Sequence, residues 1–165
     1  MAPAERFRPS VTVAAVVEHD GRYLLVEEHT ADGLRLNNPA GHLDPGESLQ
    51  QAVVREVLEE TARHFVPEAL VGVYLARLRR DATGEEISYL RFAFCGTVGE
   101  PEPGRALDDG VVRALWLTPQ EIEASRARHR SPLLWQCVSD HLAGRRHPLG
   151  LLETDASVYA LRPPP

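Results

Sequence analysis

Hydrophobic positions near the start of this chain fall in short β-branched runs, and only later in a helical rhythm. Val11 to Val17 is almost continuously apolar, as expected of a buried strand. His19-Asp20-Gly21 is a turn signal, and Arg22 to Glu27 forms a second run, so the two runs read as a β-hairpin. A loop at Asp32-Gly33 precedes a short strand expected around Leu34 to Asn38. Pro39, Gly41, Pro45 and Gly46 then interrupt regular structure. From Glu47 to about Ala62 the spacing turns helical. Val53, Val57 and Thr61 adjoin Val54 and Leu58 at about 100° per residue, and this stripe is the expected core face. Pro67 ends that stretch. Strands are expected over Leu70 to Leu78 and Ile87 to Phe94, flanking Asp81-Ala82-Thr83-Gly84. An acidic Pro/Gly-rich loop, Gly99 to Gly110, leads to a strand at Val111 to Leu117. Thr118 then caps a helix, with Pro119 at its first position and Glu121 closing a capping box. A last helix is expected from Ser131 to His141. The order β-β-β-α-β-β-β-α-α predicts an α/β (α+β) domain with helices against a sheet.

Composition narrows the class. A length of 165 residues suits one domain, 1–165, with its core at about 8–147 and a C-terminal tail at 148–165 ending in a loose Pro163-Pro164-Pro165. The net charge of -6 argues against binding a nucleic acid polymer or an anionic membrane, which needs clustered Lys and Arg. It leaves room for a small phosphorylated substrate, because a metal cation supplies positive charge locally. Cys95 and Cys137 lie in unrelated segments, so they are expected as reduced, packed thiols rather than zinc ligands or a disulfide. The segment MAPAERFRPS has no apolar core, so no secretory leader is expected. The longest apolar run, Val13 to Val17, is too short to cross a bilayer. A cytoplasmic enzyme, monomer or homodimer, is the resulting expectation.

The polar face of the first helix is unusual. Glu56, Glu59 and Glu60 are spaced i, i+3, i+4 and share one side. Like charges at i, i+4 cost roughly 0.2–0.5 kcal/mol, and acids late in a helix oppose its dipole. A hard dication reverses the sign of that repulsion. The alternative is a solvated acidic face paired with Arg63, and the helix alone leaves both open.

The segment in front of the helix decides between them. Gly41, then five residues, Glu47, then seven residues, and Arg55-Glu56-Val57-Leu58-Glu59-Glu60 resemble the Nudix box. Two positions depart: Ala62 stands where that box has Gly, and Arg63 where it has an apolar residue. Pro9 to Val17, Leu25 to Glu28, Asn37 to Leu43, Leu90-Arg91-Phe92, Trp116 and Arg130 to Leu133 are similar to the NudJ-type phosphatase branch of that family. The resemblance implies a Nudix-like α/β/α sandwich with a mixed sheet. It implies a hydrolase acting by water attack on phosphoanhydrides of nucleoside di- and triphosphates or thiamine-pathway diphosphates. It also implies Mg²⁺, or Mn²⁺, held by Glu56, Glu59 and Glu60 with a backbone carbonyl of Gly41 or Ala40. Glu47 and Arg55 are expected as a pair fixing loop to helix, and Glu56 and Glu59 as the leading candidates for general base. The resemblance also allows a base from a distant loop, for which Glu85, Glu86, Glu100, Glu102, Asp108 and Asp109 are available; the bland alternative for each is a solvated loop acid. Arg91, Asn37 and Asn38 are candidate substrate contacts; a solvent-facing Arg91 and a turn role for the asparagines are the bland alternatives. Tyr74 and Tyr89 are expected mainly as core aromatics, and His42 without a catalytic role. A non-catalytic, nucleotide-binding sensor on the same fold is the competing function.

Overall fold

The apolar run at the N-terminus becomes β1 (Ser10–Val16), an interior strand of a mixed sheet. The computed structural model describes residues 6–160. β1 does not form the expected hairpin with the next run. Only a two-residue strand, β2 (Glu18–His19), turns back at Asp20-Gly21 onto β3 (Arg22–Thr30). Hydrophobic alternation identifies both runs as strands but is silent on which sheet each joins.

The first sheet has the order β5-β1-β7-β6, built from β5 (Ala40–His42), β6 (Phe65–Arg79) and β7 (Glu86–Val98). β1 runs parallel to β7, and the other pairings are antiparallel. β6 starts earlier than expected, so Pro67 lies inside a strand. It is tolerated because β6 is an edge strand with a register shift between Pro67 and Ala69. In the second sheet β3 is central. β2 and β4 (Gly33–Asn37) pair along one edge and β8 (Val111–Leu117) along the other.

Side-chain alternation along the strands separates two core layers. Val13, Ala15, Val17, Leu24 and Phe94 pack with Val53 and Val57 of α1 (Leu49–Thr61). Val16, Tyr23, Leu25, Ala93 and Cys95 pack instead with Ile122 of α2 (Pro119–Ala124) and with Leu134, Cys137 and Val138 of α3 (Leu133–Leu142). The sheets therefore lie between α1 and the α2/α3 pair, which is the expected α/β/α arrangement. Cys95 and Cys137 are free and buried. Beyond α3, Leu149 and Leu152 pack against the α1-side core. The three final prolines lie outside the described residues. Among the described residues no helix is long and apolar enough to cross a membrane.

α1 starts later than Glu47. Ser48 caps it, accepting from the Gln51 N–H, while the Gln51 side chain accepts from the Ser48 N–H. Its buried face also differs from the expected stripe. Glu56 and Glu60 are buried, whereas Val54 and Leu58 are half-buried. Two of the three acids point inward, so the helix is rotated to offer carboxylates to the β5 end of the first sheet.

Candidate active site

Gly41 makes room for the first carboxylate. A Cβ built there would lie 2.1 Å from the Glu56 carboxyl carbon, so only glycine lets that carboxylate rest on the β5 backbone. Burial pushes the Glu56 carboxyl above the usual range, opposed by its bond from Arg55. Glu60 is enclosed more tightly. It accepts from the Ala40 N–H at 2.9 Å. Burial pushes its carboxyl up to about 9, with Glu28 and Glu56 adding to the rise.

Arg55 ties the loop to the helix. Its Nε and Nη2 donate to the two Glu47 oxygens at 3.0 and 2.7 Å, a bidentate pair. Nη2 also donates to the His42 carbonyl at 2.9 Å. Nη1 donates to Glu56 at 2.8 Å and Glu59 at 3.0 Å. Burial raises the Glu47 carboxyl, but the Arg55 guanidinium and the Asp44 N–H outweigh it, and the net shift is downward. The expected Glu47–Arg55 pair is present, and Arg55 reaches further, into the acidic group itself. Arg63 does not pair with Glu59 or Glu60. It donates to the Gly99 carbonyl and lies over the Trp116 ring at 5.6 Å.

Asp108 enters from the long loop after β7. Glu56, Glu59 and Asp108 each offer a carboxylate oxygen, and these atoms lie within 4.8 Å of one another. The loop is fastened to α1 and the residues that follow it by Gly99 N–H to His64 O, Glu102 N–H to Ala62 O and Asp108 N–H to Glu59 O. Asp108 is exposed, as expected of a loop acid, but its backbone bond to Glu59 sets it beside the helix acids. Glu60 stands outside this trio, its carboxylate engaged by Ala40. Sequence spacing could not find Asp108, because it is far from the helix along the chain. Of the other loop acids, Glu85 pairs with Arg80, Glu86 with Arg77, and Glu102 with His64 and Arg105.

These residues fit a divalent cation. The donors are all oxygen, as Mg²⁺ prefers, and oxygens about 2.1 Å from one ion lie up to about 4.2 Å apart, so the trio needs little closing. Glu56, Glu59 and Asp108 would hold the ion, with Glu60 and the Gly41 backbone adjoining.

A cleft of about 630 Å³ opens over this group. Arg91 and Asn37 line it, while Asn38 lies behind Arg91 and does not reach the lining. All three are buried, so Arg91 is not a solvent-facing strand residue. Arg91 donates to Asn38 Oδ1 at 3.4 Å and Asn37 Oδ1 at 3.5 Å. Tyr89 and His42 line the cleft; Tyr74 does not, and donates to Asp140 on the α3 side. Arg130 and Thr12, neither singled out by sequence reasoning as a contact, also line it. Arg130 is held by buried Glu28 at 2.7 Å, which anchors that wall to β3.

Comparison with known proteins agrees with this architecture. A family model described as the NUDIX domain matches residues 6–136. The Escherichia coli K12 protein Phosphatase NudJ is 34% identical over 148 residues, covering 88% of this chain and 92% of its own. Among solved structures, a NUDIX hydrolase from Nitrosomonas europaea is 50% identical with a TM-score of 0.82, covering 90% of this chain and 98% of that one. A MutT protein from Methanosarcina mazei, 20% identical with a TM-score of 0.65 over 86% of this chain and 100% of its own, shares the fold.

Proposed function

The chain belongs to the NUDIX family of hydrolases, and from that premise we propose that it cleaves phosphoanhydride bonds of nucleoside di- and triphosphates or thiamine-pathway diphosphates with Mg²⁺. The observation that carries the reading is the convergence of Glu56, Glu59 and Asp108 beside Gly41. Arg55 already bridges Glu56 and Glu59, and a divalent cation held by all three oxygens would add to that neutralisation. The non-catalytic sensor reading does not call for such a group.

Bound Mg²⁺, or Mn²⁺ in its place, supplies the charge that neutralises the phosphates and makes water acidic enough to attack phosphorus. The chain's residues do the rest. Glu56, Glu59 and Asp108 hold the ion, with Glu60 and the backbone at Gly41 or Ala40 completing its surroundings. Arg55, locked by Glu47 and the His42 carbonyl, bridges the Glu56 and Glu59 carboxylates through one nitrogen and holds them in place. Glu56, whose carboxylate rests against the β5 backbone at Gly41, is the preferred proton acceptor. Glu59 is the alternative. Arg91 and Asn37 face the rest of the substrate. Free, buried Cys95 and Cys137 accord with a reducing cytoplasmic setting.

The test is phosphate or pyrophosphate release from a panel of nucleoside di- and triphosphates, thiamine diphosphate, ADP-ribose and dinucleoside polyphosphates. Release should stop in EDTA and return with Mg²⁺. Turnover should fall on the order of 100-fold in Glu59→Gln and Asp108→Asn. Activity indifferent to chelation, or full activity in both variants, contradicts the assignment.

A further inference from the structure

Charge is sorted along the length of the cleft. Thr12 of β1 pairs with His42 of β5 on one side and Arg91 of β7 on the other, so the three form one row across the first sheet. Gly41 and Ala40, where the acids gather, fall in the rows of Phe92 and Ala93. In the opposite direction the cleft floor follows alternate residues of β7, Arg91, Tyr89 and Ile87, with Leu78 of β6 beside Ile87. From Arg91 to Ile87 is about 13 Å of strand. Beyond Ile87 the turn joining β6 to β7 meets the turn joining β3 to β4, where the Ala82 N–H donates to Asp32 Oδ1 at 2.9 Å.

Arginines line the cleft at this far end: Arg35, Arg79 and Arg80. Two of them face a carboxylate that another arginine has already taken. Arg35 of β4 stands directly opposite Glu28 of β3, but Glu28 is held by Arg130 at 2.7 Å. Arg79 of β6 stands directly opposite Glu86 of β7, but Glu86 is held by Arg77. Arg80 reaches Glu85 at 3.4 Å, and Asp32 gives one oxygen to the Ala82 N–H. Among the described residues Arg35 and Arg79 make no ion pair. Arg35 is half-buried and Arg79 exposed, so both guanidinium groups keep surface from which to meet a ligand. Arginines at a hairpin tip are ordinarily just solvated. These two share one cleft with the acidic group, separated from it by the mainly apolar floor of Tyr89, Ile87 and Leu78.

Building on the hydrolase reading, we propose that Arg35 and Arg79, with Arg80 beside them, bind a phosphomonoester carried at the end of the substrate remote from the hydrolysed diphosphate. The order along the cleft is then diphosphate at the acids, an apolar or ring-containing body over Tyr89 and Ile87, and the second phosphate between the two turns. Two guanidinium charges match the nearly two negative charges of a phosphomonoester at pH 7. A guanidinium presents paired N–H donors to phosphate oxygens, and it has no acceptor of its own.

Bisphosphates test this without any turnover. Calorimetric titration of the full chain in Mg²⁺ compares alkanediol bisphosphates of four to ten carbons with the alkyl monophosphates of the same lengths. All are monoesters without an anhydride. The longer bisphosphates should bind about tenfold more tightly than their monophosphates, against the roughly twofold that two equivalent ends give by statistics. The double variant Arg35→Gln, Arg79→Gln should bring that ratio down to about twofold and leave monophosphate affinity unchanged. Arg22→Gln, at the other end of β3, should keep the wild-type ratio. A ratio of about two or less at every length overturns the proposal, as does binding of none of the compounds. So does an unchanged ratio in the double variant once circular dichroism shows it folded, or an equal loss in Arg22→Gln, which would mark overall charge rather than a site. A clear bisphosphate preference without Mg²⁺-dependent hydrolysis of any substrate would sink the hydrolase reading and leave this site standing; hydrolysis without the preference would do the reverse.

Discussion

At Gly41 the absence of a side chain is itself the functional feature. Gly41→Ala would drive a methyl into the Glu56 carboxylate. We expect about 1–3 kcal/mol of lost stability from overpacking, and weaker Mg²⁺ binding measured by calorimetry. A variant with wild-type metal affinity would show that Glu56 need not rest there. His141 supports a prediction away from the site. Arg146 can only donate, so His141 Nε2 accepts from it at 2.6 Å, and Nδ1 carries the proton toward the Tyr23 oxygen at 2.7 Å. Burial, reinforced by Arg146, lowers the His141 pKa from 6.5 to about 4. Between those values the unfolded chain binds more protons, so stability should fall as pH drops through that window. After discounting for half-exposure, the loss is about 1–2 kcal/mol. Denaturant midpoints against pH should show it in the wild type and not in His141→Gln. Single residues were legible in the sequence where they sit in a fixed spacing: Gly41, Glu47, Arg55, Glu56 and Glu59 are all placed together. Asp108 was legible only as one of six loop acids, since the backbone bond that sets it beside Glu59 leaves no spacing in the sequence.

Elements were read well where periodicity decides and poorly where pairing decides. α1 and the α2 capping box follow from local chemistry, and both stand in the structure. The supposed hairpin of β1 and β3 fails because partner choice is a tertiary matter. Burial of Glu56 and Glu60 was missed because the helical wheel treats charge as outward-facing. The C-terminus of α1 holds a testable strain. Ala62, standing where the family motif has Gly, adopts φ 57 and ψ 21, the left-handed conformation. That costs a non-glycine residue about 1–2 kcal/mol. Removing its buried methyl costs about 0.8 kcal/mol. Relief exceeds loss, so Ala62→Gly should stabilise the protein by about 0.5 kcal/mol and raise its melting temperature by one to a few degrees, roughly. A lower melting temperature would show that the methyl matters more than the strain.

At the scale of the whole molecule, two sheets and three helices hold a charged group that is unfavourable on its own. Glu60, raised to about 9, keeps a proton in the folded, metal-free state that the unfolded chain has lost above about 4.5. Its contribution to stability is therefore present below that value and declines as pH rises toward 9. A cation that binds only the folded form reverses the decline. Mg²⁺ should thus raise the melting temperature more at pH 8 than at pH 6, and its binding should release protons. The fold class was legible from element order and family resemblance. The cleft was not, because Thr12, Arg91, Asp108 and Arg130 come from four separate segments.

The most direct measurement is a calorimetric Mg²⁺ titration of chelator-stripped protein at pH 7 in two buffers of different ionisation enthalpy, for the wild type, Glu59→Gln and Asp108→Asn. The wild type should bind with a buffer-dependent enthalpy that reports proton release, and both variants should bind at least about tenfold more weakly. Wild-type protein that takes up no Mg²⁺, or variants that bind it as tightly as the wild type, would contradict a metal centre built by these acids.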